Sequence, residues 1–154
     1  MQSHYRRRFV AALVGILLAA LGGCGLGQGA QGGASGAAST LAGTTWTLRG
    51  IEQGGGVLPL ARGTPPTLQF GTDGTVSGTT GCNSFGGRYT VNGQALAISD
   101  VRQTLKACEP SLMEQETHYT TALSAAQSFT LDSTNLTITT ADATLRLVRP
   151  GPSA

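Results

Sequence analysis

The sequence predicts a mainly β fold of the α+β class: a small antiparallel sheet, closed or nearly closed into a barrel or sandwich, with one amphipathic helix. Three observations carry this expectation. Apolar residues alternate with polar or small ones in a series of short runs, the period of strands with one buried face. Asp-Gly and Asn-Gly steps separate successive runs, as in tight hairpins. A single segment then changes to helical spacing.

Taken in order, the alternating runs are Trp46-Thr47-Leu48, Leu68-Gln69-Phe70, Tyr89-Thr90-Val91, Leu96-Ala97-Ile98, Phe129-Thr130-Leu131, Leu136-Thr137-Ile138 and Leu145-Arg146-Leu147. Asp73-Gly74 separates Phe70 from Val76, Asn92-Gly93 joins the next pair, and Ala141-Asp142 separates Ile138 from Leu145. Many short strands with close turns imply a closed antiparallel architecture. The helix is predicted over about 111–126. Leu112, Tyr119, Ala122, Leu123 and Ala126 recur on one face, Ser111 and Glu114 fit a capping box, and Pro110 precedes the cap. The helix is expected to lie across the sheet or to plug one end of it.

This body, about Leu41 to Arg149, is long enough for one single-core domain and too short for two. Upstream, Arg6, Arg7 and Arg8 precede an apolar run from Phe9 to Leu21, followed by Gly22, Gly23 and Cys24. This is the pattern of an export signal, residues 1–23, ending in a lipobox. The run is too short to span a bilayer, which takes about 20 residues. Cys24 is expected to carry fatty acyl chains such as palmitate and to begin the mature protein. Residues 25–40 are almost entirely Gly, Ala, Ser and Gln, a flexible tether with a root-mean-square reach of roughly 20–24 Å.

Those expectations place the domain in the cell envelope. With two membranes it would sit on the outer membrane facing the periplasm; otherwise it would sit on the outer face of the cytoplasmic membrane. They also reverse the charge. Ten Lys and Arg against eight Asp and Glu give +2, but losing Arg6, Arg7 and Arg8 leaves seven against eight, a net −1. No cationic stripe remains for nucleic acid. A monomer is expected, with the membrane and either an envelope protein or a small apolar ligand as partners.

Cys82 and Cys108, 26 residues apart in sequence, leave an even count in an exported domain, and a structural disulfide is the natural reading. Free or redox-active thiols are the alternative. Zinc is disfavoured because these cysteines and His118 supply fewer than four ligands, and no metal or cofactor is expected. A Cys82–His118–Glu114 nucleophile, base and orienter is conceivable as a thiol-active or hydrolytic enzyme. The blander expectation is an oxidised Cys82, a turn at Asn83 and an exposed Glu114–His118 pair. Glu116, near the apolar helix face, needs a donor, with Arg88 or a backbone amide as candidates; otherwise it is a pocket carboxylate. Gly78, Gly81, Gly86 and Gly87 lack the Gly-Lys-Ser/Thr continuation of a phosphate loop and suit bulges and close backbone approach. Trp46, Phe70, Phe85, Tyr89 and Phe129 could line a cavity, although a barrel this small is expected to be filled. Asn135-Leu136-Thr137 reads as strand rather than glycosylation acceptor.

The string Gly78-Thr79-Thr80-Gly81-Cys82-Asn83-Ser84-Phe85-Gly86-Gly87-Arg88-Tyr89 resembles the signature of the META domain of HslJ-like lipoproteins. Leu41 to Leu48 is similar to that family's opening strand and Pro66 to Phe70 to its second. Thr104-Leu105-Lys106-Ala107-Cys108 resembles its threonine-to-cysteine segment, and Met113, Glu116 and Leu123 match its helix. The motif residues carried over are Gly81, Cys82, Asn83, Phe85, Gly87, Tyr89, Thr104, Cys108 and Glu116. The resemblance implies a small barrel of roughly lipocalin-like topology with one helix. It implies a link to heat-shock and drug tolerance, and it brings no catalytic residues. A non-enzymatic binding or stress-protection module is therefore expected, with a structural or inhibitor subunit of an envelope complex as a further alternative.

Overall fold

The computed structural model describes residues 41–150. The expected export signal, Cys24 and the expected tether lie outside the described residues. Nine strands form one antiparallel sheet: β1 (Thr44–Gln53), β2 (Gly56–Leu58), β3 (Thr67–Phe70), β4 (Thr75–Thr79), β5 (Ser84–Asn92), β6 (Ala95–Gln103), β7 (Ser128–Leu131), β8 (Asn135–Thr139) and β9 (Ala143–Val148). The helix α1 (Pro110–Ser124) is inserted between β6 and β7. From β3 to β9 each strand pairs with the next in sequence, and β1 pairs with both β3 and β9, so the sheet closes into a ring.

The predicted hairpins form at Gly74 and Gly93, both with positive φ, which costs glycine little. Two irregularities reset the strand period. In β1 the pairing to β9 shifts between Leu48 and Gly50, so the odd-spaced Leu48 and Ile51 both enter the core, each 1% exposed. In β6 the shift lies opposite Gly86–Arg88, where Ser99 to Arg102 spans one residue more than its partner, and Asp100 has φ +54°. Such bulges re-aim every side chain beyond them. Leu96 and Ile98 face inward before this one and Gln103 faces the helix after it.

The ring is joined most thinly between β6 and β7, which share only the pair Ala95–Ser128. The helix α1 packs against β6 and over the ring's end. Tyr119 and Leu123 are fully buried, Tyr119 packs edge-on against Phe85 at 5.9 Å, and its hydroxyl donates to the Thr67 carbonyl at 3.1 Å. The helix thus covers the end of the ring where β3 starts and β4 stops, the second of the two placements the sequence allows. The chain enters and leaves at the other end, where Gly43 N–H bonds the Phe70 carbonyl at 2.7 Å and the Arg149 guanidinium stacks 4.7 Å from the Trp46 ring centre.

The helix boundary differs from the expectation. Glu109, not Ser111, is the N-cap and makes no side-chain capping bond; Pro110 opens the first turn and the last helical residue is Ser124. Proline lacks the N–H that a cap would satisfy and is already set for helical φ, so the start moves upstream of the capping box. Trp46, Phe70 and Leu68 are fully buried, with Phe85, Tyr89 and Phe129 nearly so, and the ring interior is occupied by its own side chains. Among the described residues the core runs from Leu41 to Leu147 as one cluster, a core this segment carries by itself.

The β7–β8 turn supplies a clear titration. Asp132 accepts from the N–H groups of Thr134 at 2.8 Å and Asn135 at 2.7 Å, and from the Asn135 amide. These bonds, the Thr134 N–H first, hold its carboxyl down to about 2. Stability from this turn is therefore complete above the ordinary aspartate range and is lost as pH falls toward 2. A side-chain NMR titration of Asp132 is expected to show its midpoint near 2, and an ordinary midpoint near 4 would contradict the turn geometry.

Candidate functional site

Two places gather the residues of interest. At the helix-covered end, the β4–β5 turn Thr80–Asn83 meets the segment 104–108 and the first turns of α1. Gly81 sits at φ +97°, and a Cβ there would meet the Thr64 carbonyl at 2.9 Å; only glycine fits. The turn carries Cys82 outward, where it is disulfide-bonded to Cys108, and turns Asn83 inward to 1% exposure.

Asn83 is the centre of the network. Its Oδ1 accepts from the Thr104 hydroxyl at 2.7 Å and the Lys106 N–H at 2.8 Å. Its amide nitrogen donates to Glu116 at 2.9 and 3.1 Å and to the Lys106 carbonyl at 3.2 Å. Glu116 is 3% exposed and also accepts from the Thr80 hydroxyl at 2.5 Å and the Gln103 amide at 2.8 Å. Neutral donors hold this carboxylate; Arg88, one of the expected partners, is not among them. Arg88 lies exposed on β5 opposite Thr75 and Ser99, outward because strand alternation sends Tyr89 inward.

The other motif residues run from this corner along β4 and β5 toward the opposite end of the ring. A Cβ at Gly87 would lie 2.7 Å from the Ser99 carbonyl at the bulge, and one at Gly78 only 2.0 Å from the Thr67 carbonyl. Phe85 packs on Tyr119 and Tyr89 edge-on on Phe70 at 4.9 Å. Every polar group of this cluster is engaged by another. Among the described residues no buried side-chain polar atom lacks a hydrogen-bond partner.

The second place is a cleft of about 300 Å³ between α1 and the segment following β2, whose lining includes the apolar Ile51, Leu58 and Leu60 and the polar Arg62, Glu114 and His118. His118 Nε2 is 3.9 Å from Glu114 and the imidazole is half-buried, so the expected exposed pair is a cleft wall. His118 and Cys82 are not joined: Cys82 lies beside Met113, at a sulfur–sulfur distance of 4.0 Å, and is held by Cys108. Among the described residues no group of three His, Cys, Asp or Glu is placed to hold a metal, and no helix is long and apolar enough to cross a membrane.

Sequence reasoning missed Thr80, Gln103 and Gln115. Gln115, 5% exposed, accepts from the Ala61 N–H at 2.9 Å and donates to the Thr80 carbonyl at 3.0 Å. It fixes the cleft wall to the signature turn. Its signal was faint: it adjoins Glu116 on the buried face, where a polar residue must find partners.

A family model described as META domain matches residues 39–151. The chain belongs to the META domain family. Its signature is thereby accounted for in this META domain as the disulfide, the Gly81 turn and the Asn83–Glu116 network. An NMR structure of a protein from Burkholderia xenovorans has the same fold, with TM-score 0.65 and 24% identity over 74% of this chain and 86% of that one. The crystal structure of a duf4847 family protein from Bacteroides vulgatus superposes with TM-score 0.56 at 15% identity, over 77% and 100% of the two chains. No curated protein matches the chain.

Proposed function

We propose that this META domain protein is a non-enzymatic, lipid-anchored binding module of the cell envelope, serving stress protection as a monomer. The observation that supports this best is the division of labour between the two places. The sulfur, amide and carboxylate groups of the signature are engaged with one another, whereas the cleft beside them is open and lined by mixed chemistry. The ring is read as a small barrel of roughly lipocalin-like plan whose interior is packed, which moves binding from inside the ring to its flank. The leader pattern ending in Cys24 supports the lipid anchor and the envelope location. On an organism with two membranes, that location is the periplasmic face of the outer membrane.

Native mass spectrometry of the protein purified from its own host tests this reading. The expected species begins at an acylated Cys24, has lost two hydrogens at Cys82–Cys108 and carries a bound small molecule. A chain starting at unmodified Met1 with three free thiols would refute the envelope role. Turnover of an envelope substrate that is abolished in Glu116→Gln would refute the non-enzymatic one.

A further inference from the structure

We infer that the cleft takes an amphiphilic organic anion, its apolar body against Ile51, Leu58 and Leu60 and its anionic head at Arg62; this rests on the binding reading above. Small-ligand sites begin at roughly 300 Å³ and combine an apolar lining with a few placed polar groups. The cleft has that size and that division. Its floor belongs to the core, since Ile51 is 1% exposed.

The wall opposite the helix is held in place before any ligand arrives. Ala61 is tied through its N–H to the buried Gln115, which is itself tied to Thr80. A pre-built wall spares the ligand the cost of ordering a loop. The charges then decide the head group. Among the described residues the ion pairs are Glu114–His118 and Glu52–Arg146, so Arg62, exposed in the cleft lining, has no carboxylate partner. Glu114, on α1, is 76% exposed and lies 3.9 Å from His118 Nε2. Its charge is turned toward solvent and that imidazole, and it opposes an anion at Arg62 only weakly. A guanidinium presents several donors in a planar fork, suited to carboxylate, sulfonate or phosphate.

Two probes of common shape separate the claims: 8-anilinonaphthalene-1-sulfonate and its uncharged counterpart N-phenyl-1-naphthylamine. Each is titrated into the ¹⁵N-labelled segment 39–154, which holds the core cluster of the described residues, and amide shifts are followed. Both are expected to perturb Leu58–Arg62 and Gln115–His118. The sulfonate should bind about tenfold tighter at low salt, one charge-assisted hydrogen bond. In Arg62→Gln that advantage should vanish while the uncharged probe binds as before, and Arg62→Lys should retain part of it. Equal affinities, or an advantage that survives Arg62→Gln, would overturn the anionic head and leave cleft binding standing. Probes that leave the cleft amides unmoved would overturn cleft binding, and this inference with it.

Discussion

Replacing Asn83 by alanine is expected to destabilise the domain by about 2–4 kcal/mol, a large share of the roughly 5–15 kcal/mol that holds a domain of this size. The loss removes two donated bonds from the buried Glu116 and the acceptor shared by Thr104 and Lys106. Thr80 and Gln103 would remain on the carboxylate, which keeps the cost below that of a wholly unpaired buried charge. The isosteric Asn83→Asp should be worse at neutral pH, because it sets a second carboxylate within about 3 Å of the first. Two such groups favour sharing one proton, so a folded-state pKa of the pair rises above its unfolded value. Its penalty should therefore shrink as pH is lowered, and grow again as pH rises. Urea unfolding midpoints from pH 4.5 to 8 check this. An aspartate variant as stable as wild type at pH 8, or one with no pH dependence beyond that of wild type, would contradict the network.

The second large effect belongs to the disulfide. In the chain-entropy picture, opening a 26-residue separation releases about 3–3.5 kcal/mol of stabilisation. Cys82→Ser with Cys108→Ser, or reduction of the wild type, should lower the unfolding midpoint by equivalent amounts, and reductant should then have no further effect on the double variant. An unchanged midpoint in reduced wild type would overturn a stabilising role. Combining the serine pair with Asn83→Ala should cost less than the two losses added. The disulfide and Asn83 hold the same 104–108 segment against the β4–β5 turn, and constraints with shared targets are not independent.

Much of the sheet was legible because hairpins declare themselves locally. Asp73-Gly74 and Asn92-Gly93 sit between alternating runs, and both form turns joining neighbouring strands. β2 was not legible, since Gly56-Val57-Leu58 is too short to show a period. The bulges hid the rest. Reading β6 by strict alternation from Leu96 points Asp100 and Arg102 inward, and only the extra residue near Asp100 brings Gln103 to Glu116. The motif pointed to the right corner of the molecule and to Asn83, but not to the other donors on Glu116. Thr80 and Gln103 look like ordinary surface residues until the fold closes over them. The cleft was illegible for a related reason: Leu58 to Arg62 has no repeating pattern, and its position depends on Gln115.

Ring closure also bears on how such chains behave at high concentration. A sheet edge with unpaired amides is a template for adding a neighbour's strand. Here β1 is bonded on both sides, so the strand order ends at β2. That strand is three residues long, and Pro59 follows it directly, a residue that cannot extend a ladder. A neighbour's strand would therefore find its readiest opening at the β6–β7 seam, which is held by one residue pair, rather than at β2.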